Sequence, residues 1–353
     1  MKKRFPDGLG RRELLAAAGS LLLLPPPAAA EPAAVRTTRR IDVHVHWLPP
    51  AYRSALAAAG MRTLDGGIAP PEWSVDAALA MMDRVRVGTS MLSITSPGVH
   101  FLRPGAAAKL ARQLNEAGAA LMRSHPTRFG AFAILPMHSA RDALAEAVYA
   151  LDVLKLDGVN IETNYNGLYP GNPQYAPLFD ELNRRGAVMF MHPTSPRCLA
   201  QVGLGRPGPL LEFPFDTARA VSDLLLNGTL SRCPDLKLII SHGGGALPIV
   251  ASRMAGFVAV NFVRHALSSP ADVPRLLARL FYDLTAVNTP GQLAAVRAMA
   301  PMSQLMFGSD WPFTPDRGVL ASVAGLDALP GLSEAEREAI DRLNALRLFP
   351  RLG

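Results

Sequence analysis

From residue 40 onward the sequence repeats one pattern eight times: a short apolar or alternating run, then a stretch with helical periodicity. The runs are RIDVHVH (40–46), TSMLSIT (89–95), RFGAFAILP (128–136), GVNIETN (158–164), AVMFMHP (187–193), LKLIISHGG (236–244), LFYDLTA (280–286) and QLMFGSD (304–310). Helical candidates between them include Val75 to Arg86, Gly105 to Ser124, Ala140 to Lys155, Thr217 to Ser231 and Leu247 to Phe262. Strands alternating with helices of this length build βαβ units and a parallel sheet, and a count of eight favours closure over an open, doubly wound sheet. The fold class expected is α/β, a single (β/α)8 barrel of the TIM type over residues 40–350. A chain of 353 residues exceeds the roughly 250 that such a barrel needs.

The polar residues of these runs are not scattered. His44 and His46 end the first, His192 the fifth and Asp310 the eighth, and His242 lies near the end of the sixth. In a parallel barrel those ends converge on one face, where active sites are built. Side chains two apart on a strand share a face, so His44 and His46 project together. Taken alone, an HxH pair fits hydrogen-bonded core histidines better than a metal. Four strand ends carrying imidazole or carboxylate change that balance, because a buried polar group costs several kcal/mol unless it is paired. A shared partner is expected. Three imidazoles and a carboxylate, His44, His46, His192 and Asp310, suit one divalent ion, zinc first, with manganese and magnesium as alternatives. His242 is then free to move a proton beside it, and the glycines of SHGGG let backbone approach a substrate without a Cβ in the way.

The first thirty residues are expected to be an export signal outside the fold. Arg11 and Arg12 precede LLAAAGSLLLL, a run too short for an ordinary membrane-spanning helix, and PPPAAA ends in an AxA-like cleavage site near Ala30. The arginine pair resembles a twin-arginine signal, which implies a periplasmic or otherwise exported mature protein with no stable membrane insertion. The net charge is +7, but MKKRFPDGLGRRELL holds five basic residues against Asp7 and Glu13. The remaining excess of about +4 is dispersed, which excludes a nucleic-acid footprint. Cys198 and Cys233 are the two cysteines; in an exported chain they could pair, and the sequence leaves this open.

With IDVHVHWLPPAY, PEWSVDAALAMMD, SITSPGV, MFMHPT, EFPFDTARAV, SHGGGALP and FGSDWPF in view, the chain resembles the amidohydrolase superfamily. Within it the similarity is to the decarboxylase branch that includes aminocarboxymuconate semialdehyde, gamma-resorcylate and 6-methylsalicylate decarboxylases, over about Ile41 to Phe349. The resemblance implies that His44, His46, His192 and Asp310 are metal ligands, that His242 and Asp310 are catalytic, and that Arg253 reaches the substrate carboxylate of a partner subunit in a homodimer. It implies non-oxidative decarboxylation of a small aromatic or unsaturated carboxylic acid, with metal-dependent hydrolysis of a lactone, ester or amide as the alternative. Proton delivery falls to Asp310 in one subgroup, whereas in another His242 activates water, and the sequence does not choose. Many members carry two metals bridged by a carboxylated lysine of the fourth strand. Here Lys2, Lys3, Lys109, Lys155 and Lys237 all miss strand C-termini, so a single ion is expected, with Glu162 the one residue that could bridge in a lysine's place.

Trp47, Trp311 and Phe313 closely follow ligands and are candidates to pack against a flat substrate, or else to fill the barrel top. His100, His125, His138 and His265 are expected to be surface or hydrogen-bonded residues away from the site.

Overall fold

The structure, a computed structural model, describes residues 39–353, so the expected export signal lies outside the described residues. Eight parallel strands run in sequence order: β1 Arg40–His46, β2 Val87–Ser93, β3 Phe129–Ile134, β4 Gly158–Glu162, β5 Val188–His192, β6 Lys237–Ile240, β7 Phe281–Asp283 and β8 Leu305–Met306. Each is followed by an outer helix: α1 Val75–Arg84, α2 Pro104–Ser124, α3 Ala140–Asp152, α4 Ala176–Arg184, α5 Gly208–Leu226, α6 Leu247–Ala259, α7 Pro290–Met299 and α8 Asp316–Asp327. The ring closes where β1 meets β8 and the segment after it. Val43 N donates to Phe307 O (3.0 Å), Asp310 N to His44 O (2.8 Å) and His46 N to Trp311 O (2.8 Å). This is the expected (β/α)8 barrel.

The strands are buried almost end to end, which is why they read as apolar runs rather than as strict alternation. Ile41, Val43, Met91, Phe132, Phe190, Ile239 and Met306 pack together in one cluster, joined by Ala345, Leu348 and Phe349 from the C-terminal segment. At the start of β1, buried Arg40 is anchored to Asp341 (3.0 Å) and to Asp327, tying the barrel to its last helices.

One irregularity shapes the site. Between Asp42 and Val45 the register of β1 against β2 slips, a bulge that turns His44 and His46 inward directly after inward-facing Val43. The Asp42 carboxylate, buried on the helix side, steadies the bulge: Oδ1 accepts from His44 N and Ser309 N, both at 3.1 Å. Burial pushes Asp42 up to about 7.

Several boundaries differ from the sequence reading. The helix expected from Thr217 starts at Gly208, because Pro209 fits a first helical turn and Pro214 is tolerated inside it. The carbonyl of Pro214 also accepts from Ala246 N (3.0 Å). β8 is two residues long rather than seven, since the chain leaves the sheet toward Gly308 and Asp310. A Cβ at Gly308 would stand 2.6 Å from Thr285 Oγ1 and 2.9 Å from His44 Cβ, so only glycine lets this segment pass so close to the site.

Candidate metal centre

The structure brings His44, His46, His192 and Asp310 together, with one ligand atom of each within 4.8 Å of the others. His44 Nε2 and His46 Nε2 are 3.2 Å apart, and Asp310 Oδ1 lies 3.4 Å from the first and 3.1 Å from the second. The rear of each β1 ring is committed elsewhere. His44 Nδ1 donates to Asp283 Oδ2 at 3.0 Å, with Thr285 Oγ1 at 3.2 Å. Ser93 Oγ spends its proton on Val45 O (3.2 Å), so it must accept from His46 Nδ1 at 2.9 Å. Both Nε2 atoms therefore present lone pairs to each other and to a carboxylate oxygen that is buried without a hydrogen-bond partner. Converging lone pairs fit a divalent cation, and His3Asp is a donor set suited to one.

The electrostatics show the same demand for positive charge. Burial lowers His44, but the Asp283 and Asp310 carboxylates outweigh it and push the group up to about 10. Without a cation, a proton on this ring answers that need. Burial lowers His46, and burial with repulsion from His46 and His44 holds His192 well below the usual histidine range. Burial alone would raise Asp310; the positive charge of His44 and the neighbouring imidazoles of His242 and His46 hold it well below a usual carboxylate.

His242 follows β6 in a tight turn and sets Nε2 3.7 Å from Asp310 Oδ2. Both residues have left-handed backbones (φ 55° and 60°), an uncommon conformation outside glycine. The turn is fixed by Asp283, whose Oδ1 accepts from His242 N (3.1 Å) and Thr285 N (3.0 Å). One carboxylate thus orients a candidate metal ligand and the candidate proton carrier together.

His192, His242 and Asp310 open onto a cavity of about 580 Å³. Apolar wall comes from Val287, Val296, Ile249 and Phe213, among others, and no lysine or arginine lines it among the described residues. On one side Asp65, which opens the short 3-10 turn Asp65–Gly67 ahead of α1, accepts from Ser96 Oγ (2.8 Å), Thr194 Oγ1 (2.7 Å) and Ser195 N (2.5 Å), pinning that turn over the site.

The expected aromatic contacts are only partly met. Phe313 lines the cavity and stands edge-on to His46, with ring centroids 5.4 Å apart. Trp47 and Trp311 do not: Trp47 is buried edge-on to Trp73, and Trp311 is buried with Nε1 donating to Asp316 Oδ1 (3.1 Å). Residues adjacent to inward-facing ligands turn outward, so both fill the layer between strands and helices. Arg253 lies on α6 outside the cavity, its guanidinium 4.7 Å from the Phe257 ring centroid. Glu162 ends β4 buried behind His192 and is not one of the four clustered residues; burial and the nearby Asp65 push it well above the usual range.

Among the other expected residues, Lys109, Lys155 and Lys237 are absent from the cavity, and Cys198 and Cys233 are both free, the first exposed and the second buried. His100 and His138 are paired with each other (2.9 Å), His125 with Ser124 Oγ (2.9 Å), and His265 Nδ1 accepts from Leu267 N (3.3 Å). The sequence reading did not single out Asp283, Ser93, Asp42 or Asp65. For Asp283 a signal was present, a lone acid inside the apolar run LFYDLTA. No helix of the described residues is long and apolar enough to cross a membrane.

Fold and site together define a (β/α)8 barrel with a His3Asp centre suited to a divalent metal. The chain belongs to the amidohydrolase family, whose model, "Amidohydrolase", matches residues 41–351. A relative from Aspergillus niger, "Decarboxylase yanB", is 38% identical over 327 residues, covering 88% of each chain. A 6-methylsalicylic acid decarboxylase of Penicillium expansum is 37% identical over 319 residues, covering 89% of this chain and 97% of the relative. A solved amidohydrolase II structure superposes with a TM-score of 0.82 at 32% identity, covering 88% of this chain and 99% of that one.

Proposed function

We propose that this protein is a metal-dependent, non-oxidative decarboxylase of a small hydroxylated aromatic acid of the 6-methylsalicylate kind, with one zinc ion held by His44, His46, His192 and Asp310. The observation that carries the reading is the juxtaposition of the His3Asp cluster with an apolar cavity that, among the described residues, has no lysine or arginine in its lining. Among this chain's described lining residues an anionic substrate finds positive charge only at the metal end, so its carboxylate goes there and its ring meets Val287, Val296 and Phe313. The names of the relatives agree with this choice of chemistry.

When bound, the ion supplies Lewis-acid attraction for the substrate's carboxylate and neighbouring hydroxyl oxygen. Asp310 Oδ2 and His242 Nε2 carry the proton. It is delivered to the ring carbon bearing the carboxylate; the bond from that carbon to the carboxylate breaks, CO2 leaves, and the bonding electron pair restores the aromatic ring. The apolar wall keeps water from competing for the proton. Zinc-loaded protein incubated with 6-methylsalicylate is expected to release CO2 and 3-methylphenol. Lactone or ester hydrolysis without CO2 release from a hydroxybenzoate panel would overturn this in favour of the hydrolase.

We place Arg253 in a homodimer. Ile249, Val260 and Phe262 are 72–75% exposed, and Ile249 also lines the cavity, so a second copy covering this apolar face sits at the mouth and brings its own guanidinium near the substrate. Mixing inactive His242→Ala with inactive Arg253→Ala then restores activity, because a hybrid dimer holds one complete site; no restoration from a confirmed hybrid contradicts the arrangement. Export through the twin-arginine route is part of the same proposal, supported by Arg11, Arg12 and the apolar run after them. Mass spectrometry of protein from its native host is expected to find a mature N-terminus near Ala30.

A further inference from the structure

We propose that Glu162 is the positioning residue of His192, the acceptor that fixes which ring nitrogen of this histidine is left for the metal. The two histidines of β1 each have the rear nitrogen held, His44 by Asp283 and His46 by Ser93. His192 Nδ1 is buried with no hydrogen-bond partner. Leaving a buried N–H so costs about 1–3 kcal/mol, so a nearby acceptor is expected to be used.

The acceptor present is Glu162, with Oε2 3.9 Å from His192 Nδ1. Both of its oxygens are themselves buried and unpartnered, and the residue is 2% exposed. The sheet explains the placement: β4 and β5 run parallel with Glu162 opposite His192, and Thr163 N donates to His192 O at 3.0 Å. Of the polar groups nearby, Thr163 Oγ1 gives its proton to Asp216, Asn160 Nδ2 gives one of its two to Ile94 O, and the Tyr165 hydroxyl accepts from the backbone N–H of Glu162 itself.

A movement of about 1 Å in either side chain closes the gap to hydrogen-bond length. Ionised or protonated, the carboxyl offers an oxygen that accepts Nδ1–H and keeps the Nε2 lone pair facing His44, His46 and Asp310. Each of the three histidines then has its own rear acceptor from a different strand or strand end, the arrangement that orients metal-binding imidazoles elsewhere.

The test is zinc affinity of the full chain, read by competition with a chromophoric chelator. Glu162→Leu removes the acceptor and is expected to weaken zinc about 10- to 100-fold. Glu162→Gln keeps an acceptor oxygen and is expected to stay close to wild type. The visible spectrum of the Co2+-substituted Leu variant is expected to keep the wild-type ligand set. Unchanged affinity in a folded Leu variant overturns the proposal; so does a Co2+ spectrum that loses a ligand, or two ions per wild-type chain, since either makes Glu162 a ligand. Selective 15N labelling of histidine tests it without substitution: in zinc-loaded wild type His192 is expected to carry its proton on Nδ1, and a proton on Nε2 contradicts the assignment.

Discussion

His44 Nε2 and His46 Nε2 face each other across 3.2 Å, each with its ring proton committed to the opposite nitrogen by Asp283 and Ser93. Two lone pairs at that separation repel unless a cation or a proton lies between them and Asp310.

The pH dependence of metal loading follows. Without metal His44 is held up to about 10, so at neutral pH this ring carries a proton that an incoming ion must displace. The unprotonated fraction rises with pH throughout the range below that value, so apparent zinc affinity rises too, by about tenfold per pH unit between pH 6.5 and 8.5. Chelator competition across that range checks it, and calorimetry in buffers of different ionisation enthalpy is expected to show proton release. A flat profile contradicts the arrangement.

Asp283 serves two groups at once, His44 Nδ1 and the backbone N–H of His242. Asp283→Ala is expected to weaken zinc binding about 10- to 100-fold and also to lower kcat at saturating metal, because the turn carrying His242 loses its anchor. Steady-state kinetics beside metal competition separate the two losses.

In the proposed reaction His242 carries the proton, and it stands outside the His3Asp cluster. His242→Ala is therefore expected to retain one ion per chain while kcat for decarboxylation falls about 10²- to 10⁴-fold. Loss of the ion from this variant would place His242 among the ligands instead.

Gly308 gives a structural counterpart. Gly308→Ala drives a Cβ against Thr285 and His44, and is expected to cost about 1–3 kcal/mol of stability by overpacking. Thermal unfolding of metal-free and zinc-loaded protein is expected to show the loss in both, and the stabilisation by zinc is expected to shrink as His44 is displaced.

The barrel was legible because buried parallel strands write themselves as apolar runs of regular spacing, and the ligands because each interrupts or ends such a run. What stayed hidden depended on contacts distant in sequence or on strand facing. Asp283 meets His44 across 239 positions, and no local pattern announces such a pair. Trp47 and Trp311 looked like pocket residues through adjacency to ligands, whereas alternation along the backbone turns them to the opposite face. The true start of α5 was obscured by Pro207, Pro209 and Pro214, because proline is at home in a first helical turn but ordinarily breaks a helix interior.

In the proposed reaction one ion at His44, His46, His192 and Asp310 carries the decarboxylation. The most direct measurement titrates metal-free protein with zinc while following CO2 and 3-methylphenol formed from 6-methylsalicylate. The rate is expected to rise linearly, to break at one ion per chain, and to yield the two products in equal amounts. Full activity in the metal-free protein, or a fully loaded protein that hydrolyses esters and releases no CO2, would contradict it.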